Sequence, residues 1–427
     1  MSVTLVDSQH QGSQGGANRS VLKNYCAGAV ALCLLALATA WARCLLLDST
    51  LIFNPADYGV YRGTGVAVLA GADFYSQNIT GVYVPQGLPF VYTPFTALLL
   101  IPLAWLPEPL GIGGWTFLNC LALGILLLLS LLYVRPHLTG VRLAAALSAT
   151  YLLALPLNVV AQHLIFGQIK QINLPLVSLC LIDMVRPQTR YLPRGVLIGL
   201  AAGIKLTPAL FILFFWVSGR LRPALTATAT ALATVVLGFL LLPEPSSTYF
   251  GSKLSGLENV VDLGTNFATS GNSSLQGVAE RWVGTHSLLL LAPLLLAVVA
   301  VAFSQAHREL ACGDGFAAAA VLGCATCLLS PVSWLHHWVW VIPTLAVLVT
   351  RGRAARALAI IWILACLAQL TDLGDLAAHA GWPIIPVEIM RSSIVLLALL
   401  AMVVLYLPSQ RKAHRERHPA RHRRPTL

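Results

Sequence analysis

The strongest candidate for chemistry in the sequence is an acidic, glycine-rich stretch that follows the first apolar segment. It reads NPADYGVYRGTGVAVLAGADFY (residues 54–75) and contains Asp57 and Asp73, in a chain where only 10% of residues are charged. A carboxyl group with an unperturbed pKa of about 4 is ionised at neutral pH and can take a proton from a hydroxyl group. Asp57 is therefore a candidate general base, and the alternative is an aspartate that caps a helix or a turn.

Cations and histidines occur in otherwise apolar stretches further along the chain. Lys205 lies in GIKLTP, His336 and His337 lie in LLSPVSWLHHWVW, and Gln168 and Lys170 lie in AQHLIFGQIKQIN. Ionisable residues at membrane depth are costly and are candidates for function by default. Alternatively, Lys205 extends to the membrane surface, and the histidines belong to an interfacial belt with the neighbouring tryptophans.

Another polar stretch, TNFATSGNSSLQG, adds Asn272 and Ser274. No cluster in the sequence has the spacing of a zinc site or an EF-hand. The phosphate-binding loop of nucleotide enzymes and the Gly-x-Ser-x-Gly turn of hydrolases are also absent. We therefore predict neither a metal site nor a cofactor.

The composition indicates that these residues belong to a membrane protein. The chain has 427 residues, of which 57% are hydrophobic, and its mean hydropathy is +0.77. A soluble domain of ordinary composition carries about 25% charged residues, more than twice the share found here. Apolar runs of about 20 residues, the length that crosses a bilayer, recur along the chain. The sequence therefore predicts an all-α polytopic membrane protein.

The basic residues predict how the chain is threaded, because Lys and Arg are concentrated in cytoplasmic loops. Arg19 and Lys23 precede the first span, so we expect a cytoplasmic N-terminus and an Asp57 that lies outside. The segment YTPFTALLLIPLAWLP is then predicted to lie at the outer surface. The segment GVLIGLAAGIKLTPALFILFFWVSG is predicted to form a hairpin of two short helices that turns near KLTP. This arrangement gives about twelve spans with both termini inside.

The chain is thereby divided into a cytoplasmic tail (residues 1–24), a membrane domain (residues 25–407) and a basic cytoplasmic tail (residues 408–427). Two long loops, residues 48–110 and 243–286, are expected outside, and the first of them is expected to carry surface helices. The basic tail is typical of an anchor on anionic membrane lipid, and nucleic acid is not an expected partner. The carboxylate, lysines and histidines share the outer face, which suits a reaction on a phosphate carried by a lipid.

Six stretches resemble the polyprenyl-phosphate-mannose-dependent mannosyltransferases of glycosyltransferase family 87, found in mycobacteria and corynebacteria. They are DYGVYRGTGVAVLAGADFY, GLPFVYTPFTALLLIPLAWLP, FGQIKQINL, GLAAGIKLTPALF, NSSLQG and LLSPVSWLHHWVW. The resemblance implies the membrane glycosyltransferase fold called GT-C, with its active site on the extracytoplasmic face of the plasma membrane. One departure is visible: family members often read Gly-Gln-x-Asn where Lys170 follows Gln168 and Ile169 here, which points towards phosphate binding.

The resemblance also implies roles for individual residues. Asp57 matches the catalytic base of the family, and the pair His336–His337 matches an active-site position that either histidine could fill. Lys205 and Lys170 are predicted to bind the phosphate of a polyprenyl-phosphate-mannose donor, because cations stabilise a leaving phosphate. The residues predicted to bind the sugar or the acceptor are Tyr58, Tyr61, Arg62, Gln168, Asn272 and Ser274.

Three functions remain open at this point. The expected reaction transfers mannose to a 2-hydroxyl of a mannose residue in lipomannan or lipoarabinomannan and gives an α-1,2 linkage. The same chemistry on phosphatidylinositol mannosides is the first alternative, and the sequence does not distinguish the two acceptors. The second alternative is a transporter or flippase of a lipid-linked sugar. A transporter is expected to carry charged residues near the midplane and repeat symmetry, whereas the polar residues here gather on one face and favour an enzyme.

Overall fold

The computed structural model describes residues 26–41, 56–164, 173–187, 189, 191–253, 269–284 and 288–406, most of which are helical. The helices up to residue 253 are α1 (Cys26–Trp41), α2 (Ala56–Leu69), α3 (Pro94–Trp105), α4 (Glu108–Val134), α5 (Gly140–Ala154), α6 (Asn158–Leu164), α7 (Asn173–Val185), α8 (Val196–Ile204), α9 (Ala209–Val217), α10 (Leu221–Leu241) and α11 (Pro243–Thr248), followed by a π-helical turn, Tyr249–Lys253. The later helices are α12 (Leu275–Val283), α13 (Leu288–Ala311), α14 (Gly315–Leu329), a 3₁₀-helix (Leu335–Trp340), α15 (Val341–Val349), α16 (Arg353–Leu367), α17 (Leu370–His379), α18 (Ile384–Arg391) and α19 (Ser393–Tyr406).

The predicted all-α class needs one correction, which lies in the loop expected outside over residues 48–110. Strands β1 (Ile79–Gly81) and β2 (Val84–Leu88) form an antiparallel hairpin between α2 and α3. Ile79 and Val84 pack against α2, where Gly63 and Gly59 leave room for them. β-Branched residues favour strands, but segments of three and five residues carry too little periodicity to be recognised from the sequence. The helices α2 and α3 lie in this loop, and their location at a membrane surface stays a prediction.

Several helices of the structure have the length and composition of membrane spans. In the part of the chain that is described, α4, α10 and α13 are long and apolar enough to cross a membrane. The bent pairs α16–α17 and α18–α19, with angles of 52° and 65°, raise this number to five if each pair is one span. The other apolar helices are shorter. The predicted count of about twelve spans stays a prediction, and both predicted tails lie outside the described residues.

The predicted hairpin is present in α8 and α9, which are separated by four residues that begin with Lys205. The start of α8 packs against the first turn of α10, and Gly203 at its other end lies against Thr234. Near the end of α9, Trp216 donates a hydrogen bond of 3.0 Å back to Thr228 of α10. The helix α8 thus runs parallel to α10 and α9 runs antiparallel to it, so the chain reverses at Lys205.

Two threonines at the start of α3 hold this reversal in place. Thr93 caps α3 and donates a hydrogen bond of 2.5 Å to the carbonyl oxygen of Gly203, and Thr96 donates one of 2.7 Å to that of Ile204. The last carbonyl groups of a helix have no partner within the helix itself. The two hydroxyl groups supply that partner, and they place the start of α3 beside Lys205.

The helices α7, α8 and α14 run between two polar ends of the structure. At one end, Asp183 near the end of α7 accepts hydrogen bonds from the backbone of Gly195 and pairs with Arg186 at 2.7 Å. Gly315 at the start of α14 lies against Met184. The start of α7, the end of α8 and the end of α14 consequently meet at the opposite end, where the candidate site lies.

The same end as Asp183 holds a second, half-buried group of ion pairs. Arg351, which follows α15, lies 3.2 Å from Glu309 and 3.4 Å from Asp314, the N-cap of α14. Tyr133 at the end of α4 donates a hydrogen bond of 2.8 Å to Asp314. Four helices are joined there at a distance from the candidate site.

The core is centred on α14. Every residue from Phe316 to Leu328 is buried, and the helix is rich in alanine, which lets neighbouring helices approach closely. Gly323 is the closest of these contacts, because a Cβ at that position would lie 1.9 Å from the ring of Trp340. This packing fixes the end of α14 against the 3₁₀-helix that carries the two histidines.

Candidate active site

Asp57 lies in the first turn of α2, where its residue is only 6% exposed. Tyr61 follows one helical turn later on the same face and donates a hydrogen bond of 3.0 Å to the hydroxyl group of Tyr92. Burial raises the pKa of both tyrosines well above the usual value, and the negative charge of Asp57 raises both further. Both hydroxyl groups therefore stay protonated beside the carboxylate.

Lys205 extends from the reversal between α8 and α9 towards these tyrosines. Its ammonium lies 5.7 Å from the ring centroid of Tyr92, close enough for a cation–π interaction. It donates a hydrogen bond of 3.0 Å to Oδ1 of Asn173 and lies 3.2 Å from Nε2 of His337. Among the described residues Lys205 has no carboxylate within ion-pair distance. Its positive charge is thus balanced by no protein anion in the described part of the chain.

These groups surround a small cleft with about 30 Å³ of space for water-sized molecules. Lys205, Asn173 and His337 form its polar side, and the start of α7 and the end of α14 also line it. The other lining residues are Leu176, Val177, Cys180, Thr207, Pro208, Phe211, Thr326, Cys327, Ser333 and Trp340. The cleft combines one cation, an amide and an imidazole with an apolar surrounding, which suits a phosphate carried by a lipid.

The structure distinguishes the two adjacent histidines by position. In a 3₁₀-helix, consecutive side chains point about 120° apart, so only one of them can face the cleft. His337 lines the cleft, whereas His336 is 3% exposed and packs edge-on against the His337 ring at 4.7 Å. Of the two histidines, His337 is therefore the one that lines the cleft, and its role in an active site stays a prediction.

Asn272 and Ser274, predicted to bind sugar, are fully buried and hold the segment that leads to the histidines. Asn272 accepts a hydrogen bond of 3.1 Å from the backbone of Ser333 and donates one of 3.2 Å to the carbonyl oxygen of Pro331. Ser274 donates to the same oxygen at 3.0 Å and caps α12. Nearby, Trp338 donates to the carbonyl oxygen of Ser273 at 2.9 Å. These contacts support the shape of the site, and direct sugar binding by Asn272 or Ser274 stays a prediction.

Tyr58 and Arg62 share a different face of α2 from Asp57 and Tyr61. The hydroxyl group of Tyr58 lies against Gly111 at the start of α4, and burial raises its pKa to about 12. The charges of Arg62 and Glu108 also act on that hydroxyl group. Tyr61 thus contacts Tyr92, which lies beside Lys205, and also packs against Trp115 of α4, whereas Tyr58 packs against the start of α4. Sugar binding by Tyr58, Tyr61 and Arg62 stays a prediction.

Gln168 and Lys170 lie outside the described residues. Two residues that the sequence analysis missed belong to the site, namely Tyr92 and Asn173. Each has a weak signal in the sequence: Tyr92 directly precedes the Thr93–Pro94 start of a helix, and Asn173 precedes the apolar run of α7. In the part of the chain that the structure describes, no group of three or more His, Cys, Asp or Glu side chains is arranged to hold a metal ion.

Comparison with known proteins gives one family. Residues 90–331 match the family model described as Glycosyltransferase family 87. The matched stretch includes Tyr92, Asn173 and Lys205, whereas Asp57 precedes it and His337 follows it. No solved structure matches the chain.

Curated proteins of mycobacteria are similar over most of the chain. The chain is 32% identical, over 68% of its length and 69% of the other protein, to the polyprenol-phosphate-mannose-dependent alpha-(1-2)-phosphatidylinositol mannoside mannosyltransferase of Mycolicibacterium smegmatis. It is 31% identical to the protein of the same description from Mycobacterium tuberculosis, over 71% and 72% of the two chains. It is 30% identical to a Mycolicibacterium smegmatis phosphatidylinositol pentamannoside mannosyltransferase, over 78% and 79%.

Proposed function

The chain belongs to glycosyltransferase family 87, and on that premise we propose that it transfers mannose from a polyprenyl-phosphate mannose to a mannosylated lipid acceptor. The enzyme class follows from the family and from relatives that are named as mannosyltransferases using a polyprenol-phosphate-mannose donor. The acceptor group is a 2-hydroxyl of a mannose residue, and the product has an α-1,2 linkage. A transporter function has no support from these relatives.

One observation carries the assignment of the donor site. The ammonium group of Lys205 is held in an apolar cleft by Asn173 and His337 and has no carboxylate partner among the described residues. A buried cation is costly unless an anion compensates it. The monoanionic phosphodiester of a polyprenyl-phosphate mannose supplies that charge, and the apolar surroundings suit the first units of its hydrocarbon chain.

The proposed reaction is a single displacement at the anomeric carbon of the donor. The carboxylate of Asp57 takes the proton of the acceptor 2-hydroxyl as its oxygen forms a bond to the anomeric carbon. The bond between that carbon and the phosphate oxygen breaks, and its electron pair stays with the phosphate. Lys205 and His337 stabilise the negative charge that develops there, because preorganised cations and donors act strongly in a poorly hydrated site. A β-linked donor then gives an α-linked product.

The tyrosine pair connects the two halves of this mechanism. Tyr61 lies one turn from Asp57, and Tyr92 lies under the Lys205 ammonium, with a 3.0 Å hydrogen bond between their hydroxyl groups. We propose that this pair keeps the base and the phosphate site at a fixed distance from each other. The acceptor hydroxyl and the departing phosphate can then lie on opposite sides of the transferred mannose. Positioning of this kind lowers the activation barrier, because the reactants lose their translational and rotational entropy on binding and not in the reaction step.

The names of the relatives indicate which class of acceptor to propose. Their names specify phosphatidylinositol mannoside and phosphatidylinositol pentamannoside. We therefore propose phosphatidylinositol mannosides as acceptors on an equal footing with the lipomannan and lipoarabinomannan expected from the sequence. The reaction is proposed to occur at the outer face of the plasma membrane, with both termini in the cytoplasm.

The deciding experiment uses the full-length chain purified into lipid nanodiscs. It is supplied with radiolabelled polyprenyl-phosphate mannose and, separately, with phosphatidylinositol mannosides of increasing mannose number and with lipomannan. We expect labelled mannose in at least one product, and removal of that label by an α-1,2-specific mannosidase. The acceptor with the highest kcat/KM identifies the substrate. Absence of transfer to every acceptor contradicts the proposed function.

A further inference from the structure

A network of ion pairs, of which the central pair is buried, joins α17 and α18 to α12. Arg281 of α12 and Glu388 of α18 form an ion pair of 3.0 Å, and their side chains are 3% and 5% exposed. Arg391 pairs with the other oxygen of Glu388 at 2.8 Å and with Asp375 of α17 at 2.7 Å. The helices α17 and α18 both lie beyond the stretch that the family model matches, so this network is a feature that the match does not account for.

Arg281 is the member of the network that contacts the loop preceding α12. Its Nη1 donates hydrogen bonds of 2.9 Å to the carbonyl oxygens of both Thr269 and Asn272. In the same loop, Ser270 donates a hydrogen bond of 2.7 Å to Asp375. A guanidinium can serve a carboxylate and two carbonyl groups together because its donors form a rigid planar fork, which a single ammonium group does not. The loop is thus held by side chains from α12 and α17.

The loop in turn holds the chain on both sides of His337. Before the histidine, the backbone of Ser273 donates to the carbonyl oxygen of Ser333 at 2.7 Å. After it, Trp338 donates its ring N–H to the carbonyl oxygen of Ser273 at 2.9 Å. His337 therefore sits between two points of attachment to one loop, and its Nε2 lies 3.2 Å from Lys205.

From this connectivity we propose that Arg281 is a positioning residue for the donor phosphate site. Its ion pair with Glu388 fixes the loop over residues 269–274, and that loop keeps His337 at hydrogen-bonding distance from Lys205. Arg281 does not line the cleft, so its effect passes through His337. The inference rests on the proposed function, because it concerns the site assigned to the donor phosphate. Misplacement of a catalytic group by about 1 Å can cost about 10²-fold in rate.

The test measures binding of polyprenyl phosphate, the lipid product of the reaction, to the full chain in nanodiscs. We expect Arg281→Lys to raise its Kd by about 10- to 100-fold, because the charge is kept and only the fork that holds the loop is lost. His337→Gln should raise the Kd as well. If Arg281 acts through His337, the double variant is no weaker than the weaker single variant, since residues that act as a unit are not additive. An unchanged Kd for Arg281→Lys, or effects of the two changes that multiply, overturns the proposal.

Arg351→Lys is the matched control, because Arg351 is also an arginine paired with a buried glutamate, Glu309, but lies at the opposite polar end of the structure. We expect it to lower the Tm and to leave the Kd unchanged; an equal rise in Kd for both arginine variants means general loosening and contradicts a positioning role.

If Arg281→Lys does not fold, Ser270→Ala removes only the loop's bond to Asp375, and an unchanged Kd in that variant also overturns the proposal. Wild-type protein that binds polyprenyl phosphate but transfers no mannose counts against the proposed function alone.

Discussion

Two aspartates of the loop expected outside have different surroundings, and these surroundings distinguish the candidate base from a turn residue. Asp73 is exposed, and one of its oxygens accepts hydrogen bonds from the backbone of Tyr75 and Ser76, as in an ordinary turn. Asp57 is buried in the first turn of α2 and acts electrostatically on Tyr61 and Tyr92. Of the two, Asp57 is the one whose charge acts on the tyrosine pair that extends to Lys205.

The first prediction compares these two aspartates. Asp57→Asn keeps the size of the side chain but removes its ability to accept a proton, and loss of a general base typically reduces the rate by about 10²–10⁴-fold. We expect a folded protein whose rate of mannose transfer falls on that scale. Asp73→Asn keeps the oxygen that accepts the two turn hydrogen bonds, so it serves as the matched control with a much milder effect. Near-normal transfer by purified Asp57→Asn contradicts its role as the base.

The second prediction concerns the charge of Lys205. Lys205→Gln keeps a polar head but removes the charge, and Lys205→Arg replaces a compact ammonium by a broader planar group. Loss of one preorganised contact to developing charge typically costs about 10²–10³-fold in rate. We expect Lys205→Gln to be severely impaired and Lys205→Arg partly impaired, in rate and donor KM at saturating acceptor.

The control for Lys205 is Arg222→Gln, which removes an exposed cation near the start of α10, at the far end of the helical hairpin. It should retain wild-type donor KM. A Lys205→Gln variant with wild-type rate and donor KM shows instead that Lys205 is structural. Lys170 then becomes the leading phosphate ligand.

Single residues were predictable from the sequence only where their type is unusual for their surroundings. Lys205 stands out as a lysine within an apolar run, and the histidine pair stands out in the same way. The choice of His337 over His336 depends on the 3₁₀ geometry of their segment, which the sequence does not announce. Tyr92 and Asn173 are ordinary residue types at helix starts, and only contacts across more than thirty residues of chain give them a place in the site.

At the scale of elements, the reversal of the chain at Lys205 could be predicted from the sequence, but the hydrogen bonds that hold it could not. Arginines on both sides of the segment, together with Pro208, favour a hairpin over a single crossing. The two threonine hydroxyls that hold the end of α8 come from Thr93 and Thr96, more than a hundred residues earlier in the chain. Such long-range pairs leave no periodic pattern in the sequence. The short β-hairpin between α2 and α3 was also missed, because its strands are too brief to show an alternation of apolar and polar residues.

The third prediction tests this fixation with the double variant Thr93→Val and Thr96→Val. Valine keeps the shape of threonine but leaves the carbonyl groups of Gly203 and Ile204 without their hydroxyl partners. Each lost hydrogen bond should cost about 1 kcal/mol of stability, and the displaced Lys205 should raise the donor KM. Thr150→Val is the control, since Thr150 bonds only a carbonyl group of its own helix, α5. An unchanged donor KM in the double variant means that the threonines do not position Lys205.

At the scale of the whole molecule, the described helices run between two polar ends of different character. One end carries Asp57, Lys205 and His337, and the other carries the ion pairs of Arg186 and Arg351. The distribution of basic residues assigns both arginines to the cytoplasm, and that assignment stays a prediction. Helix lengths alone do not settle the number of spans. Many apolar helices here are shorter than the roughly 20 residues that cross a bilayer, and the sequence could not predict where each one breaks.

The last prediction fixes which end faces outwards. Ser247 is exposed in α11, directly after α10, and belongs to the loop expected outside, whereas Ser409 belongs to the basic tail expected inside. In a background without the nine native cysteines, a membrane-impermeant maleimide applied to intact cells should label Ser247→Cys and should label Ser409→Cys only after lysis. The opposite pattern places the cleft in the cytoplasm. The acceptor and donor lipids would then have to meet the enzyme in the inner leaflet, so the orientation of the proposed reaction, and not only the topology, depends on this result.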